Sequence, residues 1–174
     1  MNFTRFIARL IFCAALASLT ACGGTDDRKA AAPKSAEDRF PIKVGDRTVL
    51  MQLAVRPAEM EQGLMFRKAM GADEGMIFVY AAPQRMSFWM HNTELPLDIG
   101  YLDATGELKE IYQMYPHDER SVAARGRDLQ YALEMNQGWF SQNGVKPGAK
   151  LDLKALAAAL QARGFEPAKM GLRN

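Results

Sequence analysis

Cysteine and histidine are both scarce in this chain: Cys13 and Cys22 are its thiols, and His91 and His117 its imidazoles. Cys13 lies inside an apolar leader, and Cys22 immediately follows Leu19-Thr20-Ala21. A chain cut before Cys22 and alkylated on that sulfur keeps no free thiol, which excludes an internal disulfide, a thiolate nucleophile and a cysteine-ligated metal together. A surplus of one charge is lacking too. Taking Arg5 and Arg9 of the leader from the 22 basic residues leaves 20, against 20 acidic ones. Without clustered Lys and Arg, no nucleic-acid partner is expected. There is no Gly-x-Ser-x-Gly elbow, no His-Glu-x-x-His and no phosphate-cradling glycine loop, so no cofactor is expected and no reaction is identified.

What is present is an export signal. Arg5 and Arg9 form a basic start, Leu10 to Leu19 an apolar run, and small residues precede Cys22. About 20 apolar residues are needed to span a bilayer, and this run is half that. Leu-Thr-Ala-Cys resembles the lipobox of bacterial lipoproteins. That resemblance implies a signal peptide over 1–21, lipid on Cys22 as the contact with the membrane, and a domain facing the periplasm. Acyl chains contribute about 0.8 kcal/mol per buried methylene, so two or more give stable anchoring. Gly23, in place of Asp, implies by the same resemblance the inner leaflet of the outer membrane.

Residues 22–38 are rich in Gly, Ala, Ser, Asp and Lys without apolar period, and read as a flexible tether. Residues 39–154 carry strand signals: Phe40–Val44, Thr48–Val55, Met76–Tyr80, Ser87–Asn92, Leu97–Leu102, Glu107–Met114, Leu129–Met135 and Lys150–Leu153. Gly45-Asp46-Arg47 and Asp103-Ala104-Thr105-Gly106 read as hairpin turns. The recurrence of strands every ten residues or so predicts an all-β or β-dominated fold, a single small antiparallel barrel or sandwich. Two short helices decorate it: one opening at Pro57, the other over Leu156–Arg163 within a C-terminal helix and tail, 155–174.

The segments Glu61-Gln62-Gly63-Leu64-Met65-Phe66-Arg67, Glu74-Gly75-Met76-Ile77-Phe78, Ser87-Phe88-Trp89-Met90-His91-Asn92-Thr93 with Pro96-Leu97-Asp98-Ile99, and Tyr131-Ala132-Leu133-Glu134-Met135-Asn136 with Gly138-Trp139 resemble the motifs of the domain-of-unknown-function family 192. They fall in that family's order, from about Thr48 to Leu153. The resemblance implies a compact, mostly antiparallel β fold and no activity. The chain departs from the family at Met60, where a basic residue is common, at His91, where Lys is common, and in the Tyr115–Asp128 loop, which lacks a cysteine some members carry.

If Ser87–Asn92 is a strand, Met86, Phe88 and Met90 share one face and Ser87, Trp89 and His91 the other. The first set reads as core. The second runs into Asn92 and Thr93, with Glu94 and Asp98 close by, and makes the mixed surface that binds small polar ligands. The bland alternative has Asn92 and Thr93 bonding local backbone, Trp89 packing and Asp98 satisfying buried amides. Arg67 is a further candidate for that ligand site. It is also the expected partner of Glu134, whose carboxylate within an apolar strand needs one. Met86, Met90 and His91 invite a Cu(I) reading, but the strand turns His91 away from the two thioethers, so no metal is expected.

Three readings follow. The first is an envelope lipoprotein binding a small polar molecule or envelope component through Trp89, His91, Asn92, Thr93, Asp98 and Arg67. The second is a hydrolase of envelope glycan or peptide, which needs two acids converging in one cleft. The third is a tethered scaffold for another envelope protein, which needs a large exposed apolar patch.

Overall fold

The computed structural model describes residues 34–172, so the leader, Cys22, Gly23 and most of the expected tether lie outside the described residues. The strands are β1 (Phe40–Val44), β2 (Arg47–Ala54), β3 (Glu74–Gln84), β4 (Ser87–Phe88), β5 (Leu97–Asp103), β6 (Leu108–Met114), β7 (Val122–Ala123) and β8 (Leu129–Asn136). The helices are α1 (Pro57–Gln62), α2 (Trp139–Gln142) and α3 (Leu153–Ala162), and a 3-10 turn covers Pro167–Met170. A six-stranded sheet runs in the order β1-β2-β3-β8-β5-β6, with β4 and β7 forming a separate two-stranded ribbon. Among the described residues no helix is long and apolar enough to cross a membrane.

Both expected hairpins form. β1 turns into β2 at Gly45, whose φ of +57° suits a tight two-residue turn, and Val44 pairs with Arg47. In the β5–β6 turn the Asp103 carboxylate accepts from the amides of Thr105 and Glu107, and Gly106 takes a φ of +75°. The domain is β-dominated as the strand spacing implies, but one pair departs from the antiparallel expectation: β2 and β3 are parallel, with Leu50 opposite Glu74 and Ala54 opposite Phe78. The connection between them carries α1 and is long enough to return the chain to its starting end, which a hairpin cannot do.

The sheet is buried on both faces, so β5 and β8 are buried along almost their whole length, polar residues included. On one face Met51, Leu53, Ile77, Val79, Leu133 and Met135 pack against Leu156 and Leu160 of α3 and Trp139 and Phe140 of α2. On the other, Met76, Phe78, Ile99, Tyr101 and Ala132 pack under Leu64 and the ribbon's Met86, Phe88 and Met90. α2 was not expected, because four residues show no helical period.

No closed barrel results, yet the sheet's outer strands are joined at one end. Leu151 N donates to Gly106 O and Leu108 N to Ala149 O on the β6 side, while Gly45 N donates to Lys150 O and Asp152 N to Lys43 O on the β1 side. The strand expected over Lys150–Leu153 is therefore a clasp, bridging Leu151 to Val44 and Lys150 to Glu107. Immediately after it, the Asp152 carboxylate caps α3 by accepting from Ala155 N. α3 begins at Leu153, three residues before the expected start.

At the far end of α3, Arg163 is buried. Its guanidinium donates to Leu53 O of β2 and to Glu59 Oε1 of α1, the latter at 2.6 Å. Burial opposes ionisation of Glu59, but hydrogen bonds from Arg163, from the Arg56 and Val55 amides and from the Arg56 side chain outweigh it and hold the carboxyl at about 2. A depressed folded-state pKa means stability that is complete above the unfolded value of 4.5 and disappears as pH falls toward 2. At 1.36 kcal/mol per unit, that limb is on the order of 3 kcal/mol. Urea denaturation at pH 3 and pH 6 should show wild type losing about 2 kcal/mol of this, while Glu59→Gln, already weakened at pH 6, loses less. Arg163→Ala, which strands Glu59 and the Leu53 carbonyl, should cost about 3 to 5 kcal/mol at pH 6.

Candidate functional site

β4 is shorter than the strand expected over Ser87–Asn92. Pairing stops after Phe88, and the chain turns at His91-Asn92, with Asn92 in the left-handed region at φ +51°. The expected alternation nevertheless persists. Met86 and Met90 are buried, Phe88 packs edge-on against Phe78 with ring centroids 4.8 Å apart, and Trp89 on the other side is 50% exposed. The Trp89 ring lies flat on the His91 imidazole, centroids 4.8 Å apart and planes 17° apart, and His91 Nδ1 is 2.7 Å from Glu119 Oε1.

This stack forms one wall of a groove of about 660 Å³, within the size range of small-molecule sites. The opposite wall comes from Met60 and Gln62 of α1 and from Met65 and Phe66 beyond it; Phe88 and Tyr80 complete the lining. Phe66 has a φ of +63°, an outlier for a bulky side chain that costs on the order of 1 to 3 kcal/mol, and its ring is 65% exposed. Its amide donates to Asn92 O at 2.8 Å, so the two left-handed residues pin the α1–β3 and β4–β5 connections together across the groove. Phe66 stands in the segment that resembles the family, but nothing in its sequence context signals a left-handed phenylalanine.

The groove thus brings together Trp89, His91 and Asn92 but not the other expected residues. Thr93 is buried and its hydroxyl donates to His91 O, which shapes the turn. Asp98 lies on the opposite face of the sheet from its neighbours Leu97 and Ile99. Its Oδ2 accepts from Gly138 N at 2.8 Å and its Oδ1 has no partner among the described residues. Burial raises its pKa and the Gly138 amide opposes the rise. Arg67 is on the other side of α1's C-terminal end, beside a cavity of about 40 Å³, where it donates to Gln52 Oε1 and stands 3.9 Å from Glu37.

The expected Arg67–Glu134 contact pair is not formed. Register explains why: Gln52 of β2, Met76 of β3 and Glu134 of β8 are successive partners in one row, so Arg67 over β2 is about two strand spacings, roughly 10 Å, from Glu134. Glu134 is buried with Oε2 unpartnered among the described residues. Burial pushes its carboxyl up to about 8, with the Arg67 charge opposing from a distance. Two carboxyls do not converge here as a glycosidase-type site needs, because Asp98 and Glu134 face opposite sides of the sheet and Glu94 is exposed in an ion pair with Lys68. Met86 and Met90 belong to the core while His91 faces the groove, and no three His, Cys, Asp or Glu residues among the described ones are grouped to hold a metal.

Comparison with known proteins then places the domain. The model of the family described as DUF192, uncharacterized ACR, matches residues 40–153. The chain belongs to DUF192. Among the solved structures similar to this chain are two from bacteria. A protein of Sinorhizobium meliloti 1021, described as a proposed transcription regulator, is 31% identical with a TM-score of 0.65, over 68% of this chain and 96% of its own. A protein of unknown function from Novosphingobium aromaticivorans DSM 12444 is 36% identical with a TM-score of 0.64, over 71% of this chain and 94% of its own. No protein of curated function matches.

Glu134 generates a test within this DUF192 chain. A folded-state pKa raised to about 8 means that its contribution is complete below the unfolded value of 4.5 and is lost as pH rises through about 8. Across that window stability should decline by up to about 1.4 kcal/mol per pH unit. Denaturant melts at pH 5 and pH 8 should show Glu134→Gln removing most of the decline and exceeding wild type at pH 8 by about 2 kcal/mol or more. Equal slopes in the two proteins would contradict a buried, proton-bearing Glu134.

Proposed function

We propose that this DUF192 chain is an envelope lipoprotein that holds its domain in the periplasm and binds a small polar ligand or envelope component in the Trp89–His91–Asn92 groove. The address rests on the leader over 1–21 and the Leu-Thr-Ala-Cys segment, with lipid on Cys22 and a tether to residue 38. Gly23 favours the inner leaflet of the outer membrane over the inner membrane. The balanced charge of the mature chain argues against the DNA contact that the name of the Sinorhizobium relative would suggest.

One observation carries the binding reading. Two exposed aromatic rings, Trp89 and Phe66, face one groove, and the backbone accepts a left-handed phenylalanine to present one of them. An exposed ring adds little to the core, so strain at that position serves the surface. Backbone strain, aromatic exposure and a concave site coincide, which is the pattern of a binding site; the Ser87 hydroxyl and His91 imidazole that also line the groove make no hydrogen bond to each other, and His91 Nδ1 contacts Glu119.

Mass spectrometry of the mature protein should show residue 22 as the first residue and an added mass of acylated diacylglyceryl-cysteine. Cys22→Ala should move the chain out of the membrane fraction. A thermal-shift series on the purified chain against envelope sugars and peptides should give a stabiliser. At 100 times Kd a one-site ligand stabilises by about 2.7 kcal/mol, or roughly 5 to 10 °C for a domain of this size. The shift should vanish in Trp89→Ala. A shift retained in that variant places binding outside the groove.

A further inference from the structure

Resting on the binding reading above, we infer that the groove takes an uncharged sugar ring, laid on the open face of Trp89 and closed in by Phe66. Charge decides the class first. The groove is lined by Glu61 and by no lysine or arginine, so a phosphate or carboxylate ligand would meet an acidic wall with no counter-charge. A cationic ligand fares little better. One face of the Trp89 ring is already covered by the His91 imidazole, itself 2.7 Å from Glu119, which leaves a single open indole face. A cation held by aromatic rings gains from several ring faces at once, and here Trp89 offers one.

What remains is a neutral molecule with an apolar face and a polar rim. A hexose ring presents C–H groups on its flat face and hydroxyls around its edge. The C–H face suits an exposed indole whose orientation is fixed, and here the stack on His91 and the His91–Glu119 contact fix it. The hydroxyl rim needs groups that both donate and accept, which the Gln62 and Asn92 amides provide, with Glu61 as a further acceptor. Phe66 stands on the facing wall with its ring exposed, held there by its amide's bond to Asn92 O, so both walls of the groove carry an aromatic surface.

The test is calorimetric titration of the full chain, purified in detergent, with three uncharged trisaccharides (of N-acetylglucosamine, of α-linked glucose and of β-linked glucose), alongside a neutral tripeptide and phosphocholine. The expected result is saturable binding of at least one trisaccharide. Its affinity should fall tenfold or more in Trp89→Ala and in Phe66→Ala, and largely persist in Trp89→Phe, which keeps a flat ring. Circular dichroism checks that each variant is folded; because Trp89 is exposed, Trp89→Phe tests the claim even if Phe66→Ala unfolds. If the tripeptide or phosphocholine binds with the same dependence on Trp89 and no trisaccharide does, the sugar assignment falls while the groove stands. If no probe shows binding that depends on Trp89, both fall.

Discussion

A short run of backbone hydrogen bonds between Gly148 and Asp152 fixes most of the rest of this structure. It satisfies amides and carbonyls of β1 and β6 at once, although these are the two outer strands of one sheet. An edge strand left with unpaired groups is a template for another chain, and here one end of both edges is used up within the molecule. The constraint also curls the sheet, so that Val44, Leu108 and Leu151 share one core with the middle strands. The clasp then runs directly into α3, whose capping residue Asp152 is itself bonded to β1. α3 ends at Arg163, Arg163 grips Glu59, and Glu59 sits in α1, the helix that supplies Met60 and Gln62 to the groove. A continuous series of contacts therefore leads from the clasp to the candidate site.

Burial on both faces has a consequence for polar groups. A strand with one wet face can turn its carboxylates outward; β5 and β8 have no such face, so Asp98 and Glu134 are buried whichever way they point. The two are handled differently. Asp98 accepts the Gly138 amide and so holds the turn from β8 into α2, where Trp139 follows and donates to Asp73 at 2.9 Å. Glu134 has only the distant charge of Arg67, and burial keeps its proton on. Glu59 and Glu134 therefore pull stability in opposite directions with pH, the first against acid and the second against alkali.

Much of this was legible in the sequence, and the exceptions have physical causes. Turn chemistry is local, so Gly45-Asp46 and Asp103 to Gly106 announced their hairpins. Apolar runs located every long strand. Strand direction is not local: the β2–β3 crossover contains a helix of only six residues, too short to mark a parallel unit. The Arg67–Glu134 pair was a sound argument from burial and charge, but it needed the row Gln52, Met76, Glu134, which exists only once three strands are in register. The clasp read as a strand because its composition is strand-like, though it bridges two edges in place of extending one. Trp89, His91 and Asn92 were found through alternation, whereas Phe66 was not, because a left-handed conformation at a phenylalanine is imposed by the fold.

The division between scaffold and groove runs through the segments that resemble the family. Four residues of the segments that resemble the family hold the fold: Thr93 in its turn, Asp98 on Gly138, Glu134 in the core row, Arg67 on Gln52. Of this chain's three departures from the pattern it resembles, two, Met60 and His91, line the groove. One supplies a thioether and the other an imidazole stacked on Trp89. The groove of this chain holds no lysine or arginine, and Glu61, Gln62 and Asn92 line it beside the aromatic rings. A scaffold held by its own buried contacts leaves the lining of a groove free to differ, which is how one fold comes to serve different ligands.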